Sequence, residues 1–331
     1  MLGAAALEEL AATLRASRGL AAKRDIAPVA ARLGLSADSA VPVGDDCAAI
    51  PDGDGFLLLA IEGFMNELVA GDPWFAGWCG VMVNISDIAA MGGHPIAVVD
   101  AVWAASTEDA QPVLAGMRAA SEAFGVPIVG GHTNTRTDRG QLSVAILGRA
   151  KRLLTSFDAR PGDGLVVAFD LRGRYREPFP NWEAATGAPA ERLRADLGVL
   201  PAIAESGLAL AAKDISQGGL IGTAMMLAEC SGVGATIDVA AVPKPEDVPL
   251  ERWLQTFPSY GYLLAVSPAN VPAVLACFRE RGIAAAAIGK VTADRRVVIA
   301  DDRATETIWN FAREPLIGCA PASIHVKHAL A

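Results

Sequence analysis

The sequence predicts an α/β fold with two domains, and three observations lead to this prediction. The chain has 331 residues, of which 52% are apolar and only 6% aromatic, a composition usual for Ala-rich globular proteins. Strand-like and helix-like stretches of its first half follow the order β-β-α-β-α-β-β, which is typical of a mixed sheet with helices on one face. Charged and turn-forming residues near 151–164 interrupt the periodicity and indicate a domain boundary.

Charge and composition exclude several classes of protein. The net charge is −9 without a basic cluster, so nucleic-acid binding is not expected, because a phosphate backbone would be repelled. The five cysteines never form a CxxC pair, which indicates buried free thiols in a reducing compartment. Residues 1–20 lack the pattern of a signal peptide, and no apolar stretch approaches about 18 residues. We therefore expect a cytoplasmic protein with no membrane segment.

The N-terminal residues predict two helices and then a hairpin. Leu7, Leu10 and Leu14 recur at helical spacing in a first helix that Gly19 is expected to end, and residues 29–33 predict a second. Residues 56–61 are an apolar run of strand length. The Asp-Gly pairs within 51–55 supply the positive φ that a hairpin turn before this strand requires.

The central helix carries polar groups where burial is expected. Residues 74–81 are apolar enough for a helix that is buried on most faces, and Asn84, Ser86 and Asp87 follow on the same element. Buried polar groups need partners, so this helix is a candidate for a binding site. After it we predict a strand at 95–104, a helix at 108–124, a strand at 126–129, a turn at 130–134 and a strand at 142–147.

The second half is predicted to form another α/β domain. Residues 165–169 restart strand character, and 172–189 are rich in Arg, Pro and Gly, which indicates an irregular excursion outside the core. Two helices follow, and residues 213–220 open a third that ends at Ser231-Gly232. Strands near 237–239, 261–266, 286 and 297 and a helix at 271–281 complete the domain.

Four carboxylates predict a metal site. Asp45 and Asp46 are adjacent in a turn, and Glu62 and Asp87 each stand at the end or edge of an apolar element. Adjacent carboxylates repel one another unless solvent or a cation neutralises them, so an exposed turn is the alternative. Convergence of oxygen donors from three segments favours Mg²⁺, which carboxylates commonly share with substrate phosphates.

Two glycine pairs are candidate phosphate contacts. Gly130 and Gly131 follow a strand and precede His132 and Thr133, although on its own a plain turn explains the glycines better. His132 is either a general acid or base or a hydrogen-bonded structural residue.

The second pair, Gly218-Gly219, opens a helix after Asp214 and Ser216. Ser216 is expected to cap this helix, and the glycines leave its first N–H groups accessible to an anion. Lys23 is either a solvated residue of a charged link or a mobile phosphate contact.

Several motifs together resemble the aminoimidazole ribonucleotide synthetase-like superfamily, which includes thiamine monophosphate kinase and selenophosphate synthetase. They occur in family order: Gly44-Asp45-Asp46-Cys47-Ala48-Ala49, Asn84-Ile85-Ser86-Asp87-Ile88-Ala89-Ala90-Met91-Gly92, Gly130-Gly131-His132-Thr133, Pro161-Gly162-Asp163 and Asp214 to Leu220. The resemblance is greatest to a synthetase-related branch that includes a methanogenesis marker protein.

The resemblance implies a two-domain α/β fold with an ATP-, magnesium-binding and dimerisation domain at 1–155 and a domain at 156–331 that completes the substrate site. It implies a homodimer formed through the N-terminal sheets. Asp45, Asp46 and Asp87, with Glu62, would hold Mg²⁺ on ATP, and Asn84, Gly130 and Gly131 would contact its phosphates. Thr133, Ser216, Gly218 and Lys23 are further expected nucleotide contacts, and Asp87, His132 and Asp214 are the expected catalytic residues.

Departures from the family pattern limit the prediction of a substrate. His132 stands where the kinase has an Asp, and Gln217 replaces the second Asp of the kinase D-x-S-D-G motif. The sequence therefore predicts an ATP- and Mg²⁺-dependent enzyme that acts on a small molecule by phosphoryl transfer or by phosphate-activated dehydration or cyclisation. The alternatives are a nucleotide-binding regulatory protein without turnover and thiamine monophosphate kinase itself.

Overall fold

A computed structural model describes residues 3–36 and 38–321 of the chain. The sequence suggests that His325 and His328 are tail residues without a metal site, and both lie outside the described residues. None of the helices in the described part of the chain is long and apolar enough to cross a membrane.

The helices alternate with strands along most of the chain. Their bounds are α1 Ala4–Arg15, α2 Arg18–Arg24, α3 Ile26–Leu33, α4 Asn66–Gly71, α5 Pro73–Ala90, α6 Thr107–Phe124, α7 Ala190–Leu197, α8 Val199–Glu205, α9 Gly219–Ser231, α10 Leu250–Leu254 and α11 Val271–Arg279.

The strands form three sheets among the described residues. Their bounds are β1 Ala48–Asp52, β2 Gly55–Gly63, β3 His94–Trp103, β4 Ile128–Asn134, β5 Gln141–Ala150, β6 Gly164–Phe169, β7 Arg174–Tyr175, β8 Asn181–Glu183, β9 Ala211–Asp214, β10 Gly234–Asp238, β11 Phe257–Pro258, β12 Gly261–Val266, β13 Ala284–Thr292, β14 Arg296–Ala300 and β15 Thr305–Asn310. The strand orders are β1-β2-β5-β3-β4, β15-β14-β10-β13-β6-β12-β9 and β11-β8-β7. The mixed α/β class predicted from the sequence is therefore confirmed.

The chain divides into two compact units, and the division differs from the predicted one. Of the described residues, the first unit contains those within 1–45, 154–184 and 206–321, and the second contains 46–153 and 185–205. We refer to the second as the five-stranded unit and to the first as the seven-stranded unit, after their largest sheets. The chain thus crosses between the units several times, whereas the sequence suggested a single boundary after residue 155.

The five-stranded unit buries one face of its sheet under α5. Leu58, Val98, Val144 and Ile146 alternate with exposed neighbours and point to this face, because successive side chains of a strand point to opposite sides. Val144 is the contact point with α5, since a Cβ atom at Gly80 would lie 2.9 Å from its Cγ2. The other face of the sheet carries the exposed apolar side chains of Leu59, Ile61, Val99 and Leu147.

Helix α5 begins and packs as its sequence dictates. The Asp72 carboxylate accepts a hydrogen bond of 3.1 Å from the Phe75 N–H, and Pro73 occupies the first turn, where no N–H is needed. Helix α6 approaches α5 closely at glycine. A Cβ atom at Gly116 would lie 1.8 Å from the Trp74 carbonyl oxygen, so only glycine fits there.

The seven-stranded unit is built around α9, which is buried along nearly its whole length. The core contains side chains from α1, α9 and the sheet, including Leu7, Met225 and Leu263. Trp182 of the predicted irregular excursion also belongs to this core, and its indole N–H donates to the Asp170 carbonyl at 3.0 Å. The prediction that 172–189 lie outside the core is therefore wrong, because β7 and β8 fold this segment onto the domain.

Two further local predictions fail at the N-terminus. Helix α1 ends at Arg15, before Gly19, and Gly19 lies inside α2, which the Ser17 hydroxyl caps by accepting from the Leu20 N–H. Lys23 consequently lies on a helix and not in an extended link.

Candidate functional site

The five-stranded unit brings together two of the predicted metal ligands. Asp87 lies on α5, where it is 4% exposed, and half-buried Asp46 precedes β1. Their carboxylate oxygens lie within 4.8 Å of each other. Oxygens that share one magnesium ion at about 2.1 Å each lie about 3 to 4 Å apart, so a small adjustment would allow both to bind the same ion.

Asn84 provides an independent sign of a ligand at this place. It lies three residues before Asp87 on α5, so the two side chains share one side of the helix. Asn84 is fully buried, and its Nδ2 donates to the Gly80 carbonyl at 2.8 Å. Its Oδ1 has no hydrogen-bond partner among the described residues. A buried amide oxygen without a partner is costly, and it would be satisfied by a cation or by a donor on a bound molecule.

Glu62, the third predicted ligand, lies on the helix-bearing face of the sheet. It pairs in register with Val144, which contacts α5, and its side chain is half-buried. Its backbone carbonyl accepts a hydrogen bond of 2.9 Å from the Ser143 hydroxyl, which fixes the end of β2. The position agrees with a site beneath α5, and its role as a metal ligand stays a prediction.

Asp100 is a candidate that the sequence reading missed. It is the partner of Val144 from the other side, so Glu62 and Asp100 flank the place where α5 touches the sheet. The Asp100 carboxylate packs against β4, because a Cβ atom at Gly131 would lie 2.6 Å from its Oδ2. Burial raises the pKa of this carboxyl above its usual value. The signal is visible in β3, where Asp100 stands between Val98 and Val102 on the buried face of the strand.

The predicted turn at 130–134 is a strand. Residues from Gly130 to Asn134 continue β4 because they pair with β3 as far as Trp103. Gly131 and Thr133 therefore point to the helix-bearing side, whereas His132 points to the opposite, open face, where its ring lies 6.4 Å from that of Trp103. The structure thus does not bring His132 to the side that carries Asp87, and its catalytic role stays a prediction.

Asp45 belongs to the seven-stranded unit, unlike its neighbour Asp46. Ser156 donates to both of its carboxylate oxygens, from its N–H at 3.0 Å and from its hydroxyl at 2.7 Å. The buried Lys213 ammonium lies 3.4 Å from the same hydroxyl oxygen. Neither Ser156 nor Lys213 was predicted as a functional residue, because their connection to Asp45 joins distant parts of the sequence.

Four other predicted residues gather at the start of α9 in the seven-stranded unit. Asp214 ends β9 and is buried, and its carbonyl accepts from the Thr223 hydroxyl at 3.1 Å. The predicted cap by Ser216 is wrong: the cap residue is Gly218, and Ser216 contributes only its carbonyl, to the Gly219 N–H at 2.9 Å. Lys23 does reach this helix start, since its Cε would lie 3.7 Å from a Cβ atom at Gly218.

Comparisons with known proteins define the family. The family models described as AIR synthase related protein, N-terminal domain, and AIR synthase related protein, C-terminal domain, match residues 44–150 and 181–302. The chain therefore belongs to the AIR synthase-related family.

Among the relatives, an uncharacterized protein of Synechocystis sp. is 47% identical over 317 residues, which is 94% of this chain and 98% of that protein. T. maritima PurL complexed with ATP has a similar fold, with a TM-score of 0.69, 20% identity, and coverage of 83% of this chain and 46% of that one. AaThiL complexed with AMPPCP and TMP matches with a TM-score of 0.63 and 22% identity, over 83% of this chain and 92% of that chain.

Proposed function

We propose that the protein is an ATP- and Mg²⁺-dependent enzyme that transfers a phosphoryl group to a small molecule. The phosphorylated molecule is either the final product or an intermediate in which the phosphate activates an oxygen for displacement. The observation that carries the proposal is the pair of Asp46 and Asp87, with the unsatisfied Asn84 oxygen beside it. A donor set made only of oxygens, with Asp87 and Asn84 on a buried helix, suits Mg²⁺. The ATP complex of the PurL neighbour supports a nucleotide as the ligand.

In this proposal the acids of the five-stranded unit hold the cation that neutralises the ATP phosphates. Phosphoryl transfer depends mainly on positioning and on charge neutralisation, so losing a ligand affects binding and turnover together. Glu62 adds a carboxylate on the same side of the sheet. Gly130, Gly131 and Thr133 lie on the edge strand β4, where one side of the backbone is open to a phosphate.

Within the seven-stranded unit, we assign a separate anion contact to the start of α9. Gly218 carries no side chain at the start of this helix, and the Lys23 Cε would lie 3.7 Å from a Cβ atom there. A positive side chain near the positive end of a helix favours an anion. Ser216 contributes through its backbone, and Asp214 is the proposed catalytic carboxylate of this unit.

The test is the binding of Mg²⁺–AMPPCP, measured by calorimetry. Asp46→Asn and Asp87→Asn should each weaken binding about 10- to 100-fold, as the loss of a metal ligand or its support does. Asp138→Asn is the control, since Asp138 is an exposed acid that pairs with its sequence neighbour Arg139. Parental affinity in both site variants would refute the metal assignment.

A nucleotide-binding regulatory protein without turnover is the second candidate, favoured by Gln217 and His132 at positions where the kinase has acids. A screen of small molecules for substrate-dependent ADP release separates the two. Release with any acceptor supports the enzyme, and tight binding of ATP without release from any acceptor supports the regulatory protein. Thiamine monophosphate belongs in the screen, because thiamine diphosphate formation would identify the kinase.

A further inference from the structure

The two adjacent acids of the Gly44-Asp45-Asp46 turn have different surroundings, and this difference carries an inference about Asp45. Asp46 lies near Asp87 in the five-stranded unit. Asp45 is held within the seven-stranded unit by Ser156, whose N–H donates to Oδ2 at 3.0 Å and whose hydroxyl donates to Oδ1 at 2.7 Å. Ser156 is fully buried, so water does not compete for these hydrogen bonds.

A buried positive charge completes this arrangement. Lys213 is 4% exposed, and its Nζ donates to the Ser156 hydroxyl oxygen at 3.4 Å. A buried ammonium requires an anion nearby, and Asp45 is the acid bound to the same serine. Lys213, Ser156 and Asp45 therefore form a continuous chain of charge and hydrogen bonds.

The backbone carbonyls of Ser156 and Gly44 are held by hydrogen bonds as well. The Ser231 hydroxyl donates to the Ser156 carbonyl at 2.7 Å, and the Cys230 thiol donates to the Gly44 carbonyl at 3.4 Å. Gly44 has a φ of +128°, and a Cβ atom there would lie 2.7 Å from the Cys319 Cβ. The turn is thus held at Gly44, just before Asp45, and through Ser156, the hydrogen-bond partner of Asp45. Only glycine fits at its start.

We propose that Asp45 is a positioning residue and not a metal ligand. With Ser156 and Lys213 it fixes the turn so that Asp46 alone of the pair is presented to the cation. The physical reason is charge: the Lys213 ammonium contacts the serine hydroxyl that donates to Asp45, so a divalent ion on the Asp45 carboxylate would lie near this ammonium and the two cations would repel. This inference rests on the proposed Mg²⁺–ATP site, and it revises the prediction that both acids hold the metal.

The test is the number and affinity of Mn²⁺ ions bound per chain with AMPPCP, measured by electron paramagnetic resonance. Asp45→Asn, Ser156→Ala and Lys213→Met should keep the parental number of ions. The affinity of these three variants for Mn²⁺ should fall about threefold to tenfold, which is the effect of one lost hydrogen bond. The double variant Asp45→Asn/Ser156→Ala should be no weaker than the worse single variant, because both changes break one interaction. Saturating Mn²⁺ should restore nucleotide binding in each variant.

Asp87→Asn separates failure of the inference from failure of the proposed function. If Asp87→Asn leaves Mn²⁺ binding unchanged, the proposed site is wrong. If Asp87→Asn weakens binding and Asp45→Asn loses one ion per chain while Ser156→Ala does not, only the positioning role is overturned. Additive losses in the double variant, or parental affinity in all three single variants, also overturn it. Circular dichroism checks that each variant is folded, and the three independent changes ensure that one unfolded variant does not decide the result.

Discussion

Asp100 is a carboxylate kept half-buried without a hydrogen-bond or ion-pair partner among residues 3–36 and 38–321. Burial raises its pKa in the folded chain above the ordinary value of 3.8. The folded state therefore binds more protons than the unfolded state just above this pH, so the stability associated with this group is present at low pH and lost as the pH rises. At neutral pH the ionised Asp100 destabilises the fold.

We expect Asp100→Asn to raise the free energy of unfolding at pH 7 by about 0.5 kcal/mol, a small value because the group is partly exposed. The gain should disappear below pH 3.8, where both states are protonated. Urea unfolding at several pH values measures it, with Asp138→Asn as the exposed control. A loss of stability at pH 7 would show that Asp100 has a stabilising partner in the folded protein.

The residues of the candidate site show which of its features the sequence alone predicts. Asp87 and Asn84 could be predicted because each interrupts an apolar helix, and Asp46 because it stands beside a second acid in a turn. Asp45 was grouped with Asp46 because neighbours in a turn look equivalent in a sequence, and only the fold shows that Ser156, 111 residues away, binds one of them. The sequence does not show that β4 continues through Asn134, and this continuation decides the face of the sheet on which His132 lies. For this reason the sequence alone groups His132 with the site.

At the scale of elements, a buried acid joins α9 to the last described segment. Glu229 is 2% exposed, and its carboxylate accepts from the backbone N–H groups of Leu316, Ile317 and Gly318 at 3.0, 2.7 and 3.2 Å. Glu229→Gln replaces one acceptor oxygen with an amide donor that faces an N–H group. We expect a loss of about 2 kcal/mol in the free energy of unfolding.

Urea unfolding of Glu229→Gln, compared with Glu280→Gln at an exposed position, checks this value. Equal stabilities of the two variants would contradict a structural role for the three hydrogen bonds.

Replacing two helical glycines by alanine should change the free energy of unfolding in opposite directions. Gly116→Ala should destabilise by about 3 kcal/mol, because its Cβ would overlap the Trp74 carbonyl oxygen at 1.8 Å and force α5 and α6 apart. Gly222→Ala is the matched control in α9: the nearest atom to its Cβ would be Leu20 Cδ1 at 3.8 Å, so alanine fits and its helix propensity should stabilise by about 1 kcal/mol. Thermal unfolding measures both, and equal shifts would contradict the helix contact.

At the scale of the whole molecule, the sequence predicted two domains but not the path of the chain between them. Helices α7 and α8 belong to the five-stranded unit although they follow β8 of the other unit. Arg194 of α7 explains this, since its guanidinium donates to the carbonyls of Glu122 and Ala123 at 2.7 and 3.0 Å and so caps the end of α6. These hydrogen bonds join residues about 70 positions apart, so the local periodicity of the sequence does not predict that α7 packs against α6.

The open face of the five-stranded sheet is the surface on which we place a second copy of the chain. Leu59 pairs in register with Leu147, and Ile61 and Val99 both pair with Ala145, which gives two adjacent apolar rows across the sheet. Ile61 is 69% exposed in the isolated chain, and Leu59 is 48% exposed. A flat apolar face can bury itself against its own symmetry mate, and two-fold dimers are the commonest soluble assemblies.

We therefore expect the parent chain to be a dimer by sedimentation velocity at micromolar concentration, and Ile61→Asp to be a monomer. An unpaired charge buried at the centre of an apolar interface costs several kcal/mol, which is enough to raise the dissociation constant by at least about 100-fold. Val29→Asp on α3 is the control, because Val29 is 54% exposed but lies in the other unit, so it should leave the parent dimer intact. A parent chain that is monomeric, or an Ile61→Asp chain that still dimerises, would contradict the assignment of this open face, which also carries His132, as the dimer surface.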